Sequence, residues 1–205
     1  ALIALLLLSL LSSMATPMPL LNLGEEEVLL ANGRSGSPEI FIASGGASNG
    51  DELPGAIATI NGGYVVGGDY NRTITFGPHT LQASSPFTNG NEFFLAAISE
   101  TGTWTYLANA DHSQGGVSFL TDVGSSMGNA VATGYMYGPV SFGTSSVSTS
   151  VLDGFIGMTG PTGNWMWATA FRTLPNASTD LSIPQAMAVD ATGDVLVAGY
   201  FSGET

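Results

Sequence analysis

The sequence predicts an all-β fold built from repeated units, and three observations lead to it. Segments recur at a spacing of about 65 residues, apolar residues alternate at period two, and glycine supplies 28 of the 205 residues. Alternation of this kind marks strands, and glycine suits the tight turns that join them. The first copy reads Gly62-Gly63-Tyr64-Val65-Val66-Gly67-Gly68 and leads to Thr75-Phe76-Gly77. The second reads Gly128-Asn129-Ala130-Val131-Ala132-Thr133-Gly134 and leads to Ser141-Phe142-Gly143, and the third starts at Gly193. Gly68 recurs as Gly134 and again as Gly199, Phe76 recurs as Phe142, and Tyr135 recurs as Tyr200, so the register is kept within each block. A fixed period in this range indicates a solenoid or a propeller, because each unit buries its apolar face only against its neighbours.

Residues 1–15 are read as a signal peptide that lacks its beginning. Ala1 to Leu11 is an uncharged apolar run of suitable length, and Ser13 and Ala15 are the small residues a signal peptidase needs before Thr16. A membrane anchor is the competing reading, because Ala1 to Leu21 carries no charge and about 20 residues span a bilayer. Pro17, Pro19 and the polar Ser12-Ser13 pair weigh against it. Residues 16–53 are read as an irregular N-terminal segment leading into the first unit. Its Glu25-Glu26-Glu27 run is expected to be solvated, since neighbours on an extended chain point to opposite sides. Residues 54–205 carry the repeats, and the last unit is truncated.

Within a unit, Ala56 to Ile60 and Ala186 to Asp190 match as strands. Each is followed by a glycine-containing turn and a second strand, Tyr64 to Gly67 or Val195 to Ala198. A third strand is expected at Val140-Ser141-Phe142. The unit closes on a hairpin like Phe155 to Thr159 with Trp165 to Thr169. Here Phe94 matches Phe155, Trp104 matches Trp165 and Tyr106 matches Trp167, all at one common spacing. That spacing is shorter than the one between Gly68 and Gly134 because the loop from Leu81 to Asn91 is about five residues longer than its counterpart before Asp153, an insertion that surface loops tolerate. At period two, Trp104 with Tyr106, and Trp165 with Trp167, are expected to share one face of their strands as packing residues. The fold class expected is therefore a partial β-propeller of about three four-stranded antiparallel blades of about 65 residues, not a closed ring, because closed propellers have four to eight blades.

The quoted elements resemble the bacterial β-propeller repeat family, the seven-bladed type found in secreted proteins. The matching residues are Ala188-Val189-Asp190, Gly193-Asp194, Val195 to Phe201, Phe142-Gly143, Asp153-Gly154-Phe155 and Gly163-Asn164-Trp165-Met166-Trp167. The resemblance covers residues 54–205 and implies a secreted or cell-surface repeat protein. One departure is visible: where the family continues its Asp-x-Phe strand into Ala-Lys-Leu, this chain has Leu95-Ala96-Ala97-Ile98 and Ile156-Gly157-Met158-Thr159.

Candidate chemistry is sparse. Asp111-His112-Ser113 contains the residue types of a serine-hydrolase triad, but consecutive residues cannot line up as orienter, base and nucleophile. His79 and His112 lack metal-ligand spacing and are read as surface or turn residues. The stretch Ser99 to Trp104 resembles the sialidase Asp-box without its aspartate and is read as a hairpin turn. Asn49 to Glu52 and Asp190 to Asp194 offer oxygen ligands without a calcium-loop pattern, and Asp190 and Asp194 are read as turn formers. Asn71-Arg72-Thr73 and Asn176-Ala177-Ser178 are glycosylation sequons. No catalytic, cofactor-binding or metal-ligating residue is assigned, and no cofactor is expected.

Sixteen acidic residues against three arginines and no lysine give a net charge of -13, which repels a phosphate backbone and argues against nucleic-acid partners. No cysteine is present, which removes disulfides and thiolate chemistry. The expected role is a secreted or cell-surface scaffold or adhesion module, non-enzymatic, with a protein or glycan ligand and with further blades of the same protein as neighbours. No stable membrane insertion is expected once the signal is cleaved. The alternative is a fragment of a carbohydrate-active hydrolase of the propeller type, with its catalytic residues in other blades. Circular dichroism of residues 16–205 is expected to give a β-dominated spectrum, and a dominant helical spectrum would end this reading.

Overall fold

The computed structural model describes residues 27–32, 39–46, 51–85, 91–171 and 180–202. The proposed signal segment lies outside them. Every regular element among the described residues is a strand. The first eight are β1 (Glu27–Asn32), β2 (Glu39–Gly46), β3 (Glu52–Ile60), β4 (Gly63–Tyr70), β5 (Thr73–Phe76), β6 (His79–Gln82), β7 (Glu92–Ser99) and β8 (Trp104–Asn109). The rest are β9 (Val117–Ser126), β10 (Asn129–Phe142), β11 (Ser145–Thr159), β12 (Trp165–Phe171), β13 (Leu181–Val189) and β14 (Val195–Ser202).

They form four antiparallel sheets, none closed on itself: sheet I in the order β1-β2-β5-β6, sheet II β3-β4-β7-β8, sheet III β9-β10-β11-β12, and sheet IV β13-β14. The all-β class is as the alternation predicts. Two details differ from the sequence reading. A strand pair, β1 with β2, occupies part of the segment read as irregular. The strand expected at Val140 to Phe142 is the far end of the long β10, paired with the start of β11. In the first unit the matching residues break away as the hairpin β5–β6, which pairs with β2 through Gly45 and Gly46 instead.

Sheet packing runs in series. Sheet II lies between sheets I and III, and sheet IV packs through β13 on β9, β10 and β11. Residues alternate along β7, so Phe93, Leu95 and Ala97 enter one core with sheet III while Phe94, Ala96 and Ile98 enter another with Ile74 and Phe76 of β5. Burying each large apolar side chain contributes about 1.5–3 kcal/mol. An aromatic trio recurs within this packing. Phe76 lies 5.3 Å from Phe94 and meets Trp104 edge-on at 4.7 Å; in the next unit Phe142 lies 5.3 Å from Phe155 and meets Trp165 edge-on at 5.0 Å. Phe93 then stacks on Phe155 at 4.9 Å, joining sheet II to sheet III.

The second aromatics of the closing hairpins do not share a face with the first, and this corrects the period-two reading. Trp104 pairs with Ile98 and Tyr106 with Ala97, so Thr105 is an extra residue; Met166 is the extra residue between Trp165 and Trp167. A bulge of this kind shifts the alternation by one. Trp104 therefore enters the core shared with β5, whereas Tyr106 enters the core shared with sheet III.

The first strand of each unit is bulged as well, at Gly55, Thr121 and Gln185. Opposite these bulges stand Gly68, Gly134 and Gly199, the glycines that mark the repeat in the sequence. A Cβ on them would overlap the carbonyl oxygens of Leu53, Phe119 and Ile183 respectively. The glycine is thus required by close approach of a neighbouring backbone. Gly62 is a different case, with φ of +79° and nothing within 4 Å of a built Cβ. Urea melts should accordingly show Gly134→Ala costing about 3 kcal/mol or more, the scale of a forced backbone shift, against about 1–2 kcal/mol for Gly62→Ala. Equal costs would contradict the bulge explanation.

Candidate functional site

A cluster of polar and titratable groups lies at the end of sheet II where the chain crosses to sheet III. Glu92 opens β7 and is fully enclosed. Its Oε1 accepts from the Ser84 amide, the Ser84 hydroxyl (3.1 Å) and the Ser85 amide (2.6 Å). Its Oε2 accepts from the Tyr70 hydroxyl (2.9 Å) and from Asn109 Nδ2 (3.1 Å), which also donates to Tyr70 Oη (2.7 Å). Tyr70 ends β4 and Asn109 ends β8, so one carboxylate ties three strands of the sheet to the segment after β6.

His112 completes the cluster. It is fully buried, which corrects its reading as a surface or turn residue; solvent is excluded because the loop from β8 to β9 folds back over the start of β7. Its Nδ1 lies 3.4 Å from Glu92 Oε2 without hydrogen-bond alignment, and its Nε2 shares a 2.7 Å hydrogen bond with Ser118 Oγ. Its backbone N–H donates to Ser84 Oγ at 2.8 Å. Ser118, Nε2, Nδ1 and Glu92 thus follow the order nucleophile, base and orienter. The chemistry of a triad needs more than that order: an exposed nucleophile and a place for a reacting carbonyl. Ser118 is fully buried in β9, and its oxygen already accepts the Phe93 N–H at 3.3 Å. The arrangement can fasten two sheets, and it leaves Ser118 Oγ enclosed and already hydrogen-bonded.

The next junction supports the fastening role. There Gly154 N–H donates to Ser182 Oγ (2.9 Å), and the Ser182 hydroxyl donates to the Phe171 carbonyl (2.7 Å) with Asp153 Oδ1 at 3.5 Å. Gly154 follows Asp153 as Phe93 follows Glu92. Ser182 corresponds to Ser118 through the strand register, in which Pro184 faces Gly199 as Leu120 faces Gly134. The acid, the amide that follows it and a serine on the next sheet therefore recur. In the first unit the acid is one methylene longer and a histidine stands between it and the serine. A further acid acts between the same sheets: Asp69 on β4 accepts the Leu120 N–H of β9 at 2.7 Å, and Asp122 on β9 accepts the Met187 N–H of β13 at 2.7 Å.

The other sequence candidates are not brought to this cluster. Asp111 Oδ1 accepts the Ser113 N–H (2.9 Å) in a local turn, so Asp111-His112-Ser113 forms no catalytic array. His79, half-buried at the start of β6, bonds through Nε2 to the Trp104 carbonyl at 3.3 Å. Ser99 to Thr103 is a hairpin turn closed by Ser99 N–H to Thr103 O and Gly102 N–H to Ser99 O. Asp190 Oδ1 accepts from Thr192 N, Thr192 Oγ1 and Asp194 N, as a turn former does. Among the described residues, no group of three or more His, Asp or Glu is placed to hold a metal ion. Asn71 pairs with Asp51 through its carboxamide, and Asn176, Asn49 and Gly50 lie outside the described residues. Sequence reasoning missed Tyr70, Ser84, Ser85, Glu92, Asn109 and Ser118. The available signal was Glu92 at the position of Asp153, preceded by the one loop that had grown. No protein-family model matches the chain, and no curated protein matches it.

Glu92 and the half-buried Asp69 titrate in opposite senses. Burial raises the Glu92 carboxyl, but the His112 imidazole, the Ser85 amide and the Tyr70 hydroxyl outweigh it and hold the group below its ordinary value. Burial pushes Asp69 up to about 7, against the opposing hydrogen bond from the Leu120 amide. The stabilisation from Glu92 is complete above its unfolded value and is lost as pH falls through its folded one. Asp69 binds its proton more tightly when folded, so its contribution declines as pH rises from about 4 to about 7. Denaturant melts from pH 3 to 8 should show the cost of Glu92→Gln shrinking toward the acid end. Asp69→Asn should gain on the wild type toward the alkaline end. Parallel curves for either variant would contradict these environments.

Proposed function

We propose that this chain is a run of β-propeller-type blades, secreted or displayed at the cell surface, that acts as a non-enzymatic scaffold or binding module. The order of strands within sheets II and III supports the blade reading, as do the recurring bulge, glycine, aromatic trio and serine fastener at successive junctions. On this reading sheet IV, with Leu196, Tyr200 and Phe201 exposed on β14, belongs to a unit completed by further blades. The acidic surface fits contact with protein or glycan rather than nucleic acid. The apolar N-terminal run supports export.

One observation carries the non-enzymatic reading. The serine, histidine and glutamate that could form a hydrolytic relay are enclosed between sheets, and their polar atoms are turned on one another and on the strands they hold together. A hydrolase assay on the full chain, with nitrophenyl esters and nitrophenyl glycosides, tests it. No turnover beyond that of the Ser118→Ala variant is expected. Turnover that disappears in Ser118→Ala would overturn the proposal in favour of a hydrolase.

A further inference from the structure

We propose that the cleft between the end of β8, the β10–β11 turn and the β11–β12 turn binds a neutral saccharide, an inference that rests on the binding-module reading and gives it a ligand class. The cleft has a volume of about 500 Å³, within the range of small-ligand sites. Trp165 lies in its wall, half-buried. Its Nε1–H donates to the Asn109 carbonyl at 2.7 Å, and its ring stands edge-on to Phe142 and Phe93 at 5.0 and 5.8 Å. The indole is therefore fixed before any ligand arrives, and little ordering is needed on binding.

Around the indole stand Asp111, Ser141, Thr144 and Asn164. The Asp111 loop is pinned to β10 by paired backbone hydrogen bonds with Ser141 at 2.8 and 2.9 Å. The Ser113 amide and hydroxyl hold the exposed Asp111 carboxyl below its ordinary range, so it is ionised at neutral pH. Among the described residues, no lysine or arginine lines the cleft. A fixed carboxylate with no cation among these lining residues disfavours phosphate, sulfate and carboxylate ligands. Asp111 is bonded to Ser113 and Asn164 Nδ2 to Thr162 Oγ1, yet both side chains are exposed, and a purely apolar ligand would strip the water from their remaining acceptor sites without replacing it. A ligand with C–H faces for the indole and hydroxyls for the carboxylate and carboxamide satisfies both, and that is the chemistry of an uncharged sugar.

The first unit shows that the opening is not a by-product of the fold. There Pro78-His79 replaces Thr144-Ser145 in the same register, with His79 opposite Phe76 and Ser145 opposite Phe142. The His79 ring sits on the Trp104 carbonyl, and Trp104 is only 7% exposed.

A glycan array of neutral, sialylated and sulfated oligosaccharides, followed by tryptophan-fluorescence titration of the best ligand on the full chain, tests the proposal. Saturable binding to neutral glycans is expected. Asn164→Ala and Thr144→Tyr should weaken it about tenfold or more with unchanged melting temperature, while Trp167→Ala, outside the cleft, should leave it intact. No saturable binding, binding confined to acidic glycans, or binding that survives both cleft variants would overturn the site. Such a failure without Ser118-dependent turnover removes this site alone, whereas Ser118-dependent turnover removes the module reading itself.

Discussion

Seven consecutive side chains of β7, Glu92 to Ile98, are buried, so this strand has no face turned to water. A strand of this kind is stable only when both surfaces of its sheet are covered. Phe94, Ala96 and Ile98 need the β5–β6 hairpin on one side; Phe93, Leu95 and Ala97 need sheet III on the other. Sheet III repeats the demand, because its second face is met by β13 of sheet IV. Order thus passes from sheet to sheet, and each layer is finished by the next.

The junctions are built from backbone constraints as much as from apolar area. A bulge in the first strand of each unit drives a carbonyl against the neighbouring strand, and only glycine accepts that approach at positions 68, 134 and 199. Beside the bulges, acidic side chains of one strand accept amides of the next sheet, Asp69 from Leu120 and Asp122 from Met187. Hydrogen bonds to a charged acceptor in low dielectric are worth more than those in water, provided the acceptor is fully paired. Glu92, with five donors and an adjacent imidazole, is paired in this way.

Much of the architecture was legible from residues with a single structural solution. The Phe-Gly steps at 76–77 and 142–143 mark matching turns, with φ of +56° and +59° at the glycines, and the spacing of Trp104 and Trp165 located matching aromatic contacts. The faces of Tyr106 and Trp167 were not legible, because a period-two pattern carries no sign of an inserted bulge residue. The Glu92 cluster was hidden for another reason. Its members come from separate segments of the chain, and a glutamate, a histidine and serines in a polar sequence look like surface until the fold encloses them. Asp111, beside the histidine, drew attention to the right loop but to the wrong serine.

The chemistry available to the molecule follows from this division. Ser118, His112 and Glu92 are locked between sheets, while turns such as those bearing Asp111 and Asn164 keep polar side chains exposed. The central claim is that stability is generated sheet against sheet, with β7 covered on both faces and β14, where Leu196 is 61% and Phe201 60% exposed, largely uncovered. Native-state hydrogen exchange resolved by residue tests this directly. Amides of β7 should exchange only through global unfolding, and those of β14 through local opening at much lower cost. Equal protection of the two strands, or local exchange in β7, would contradict the account.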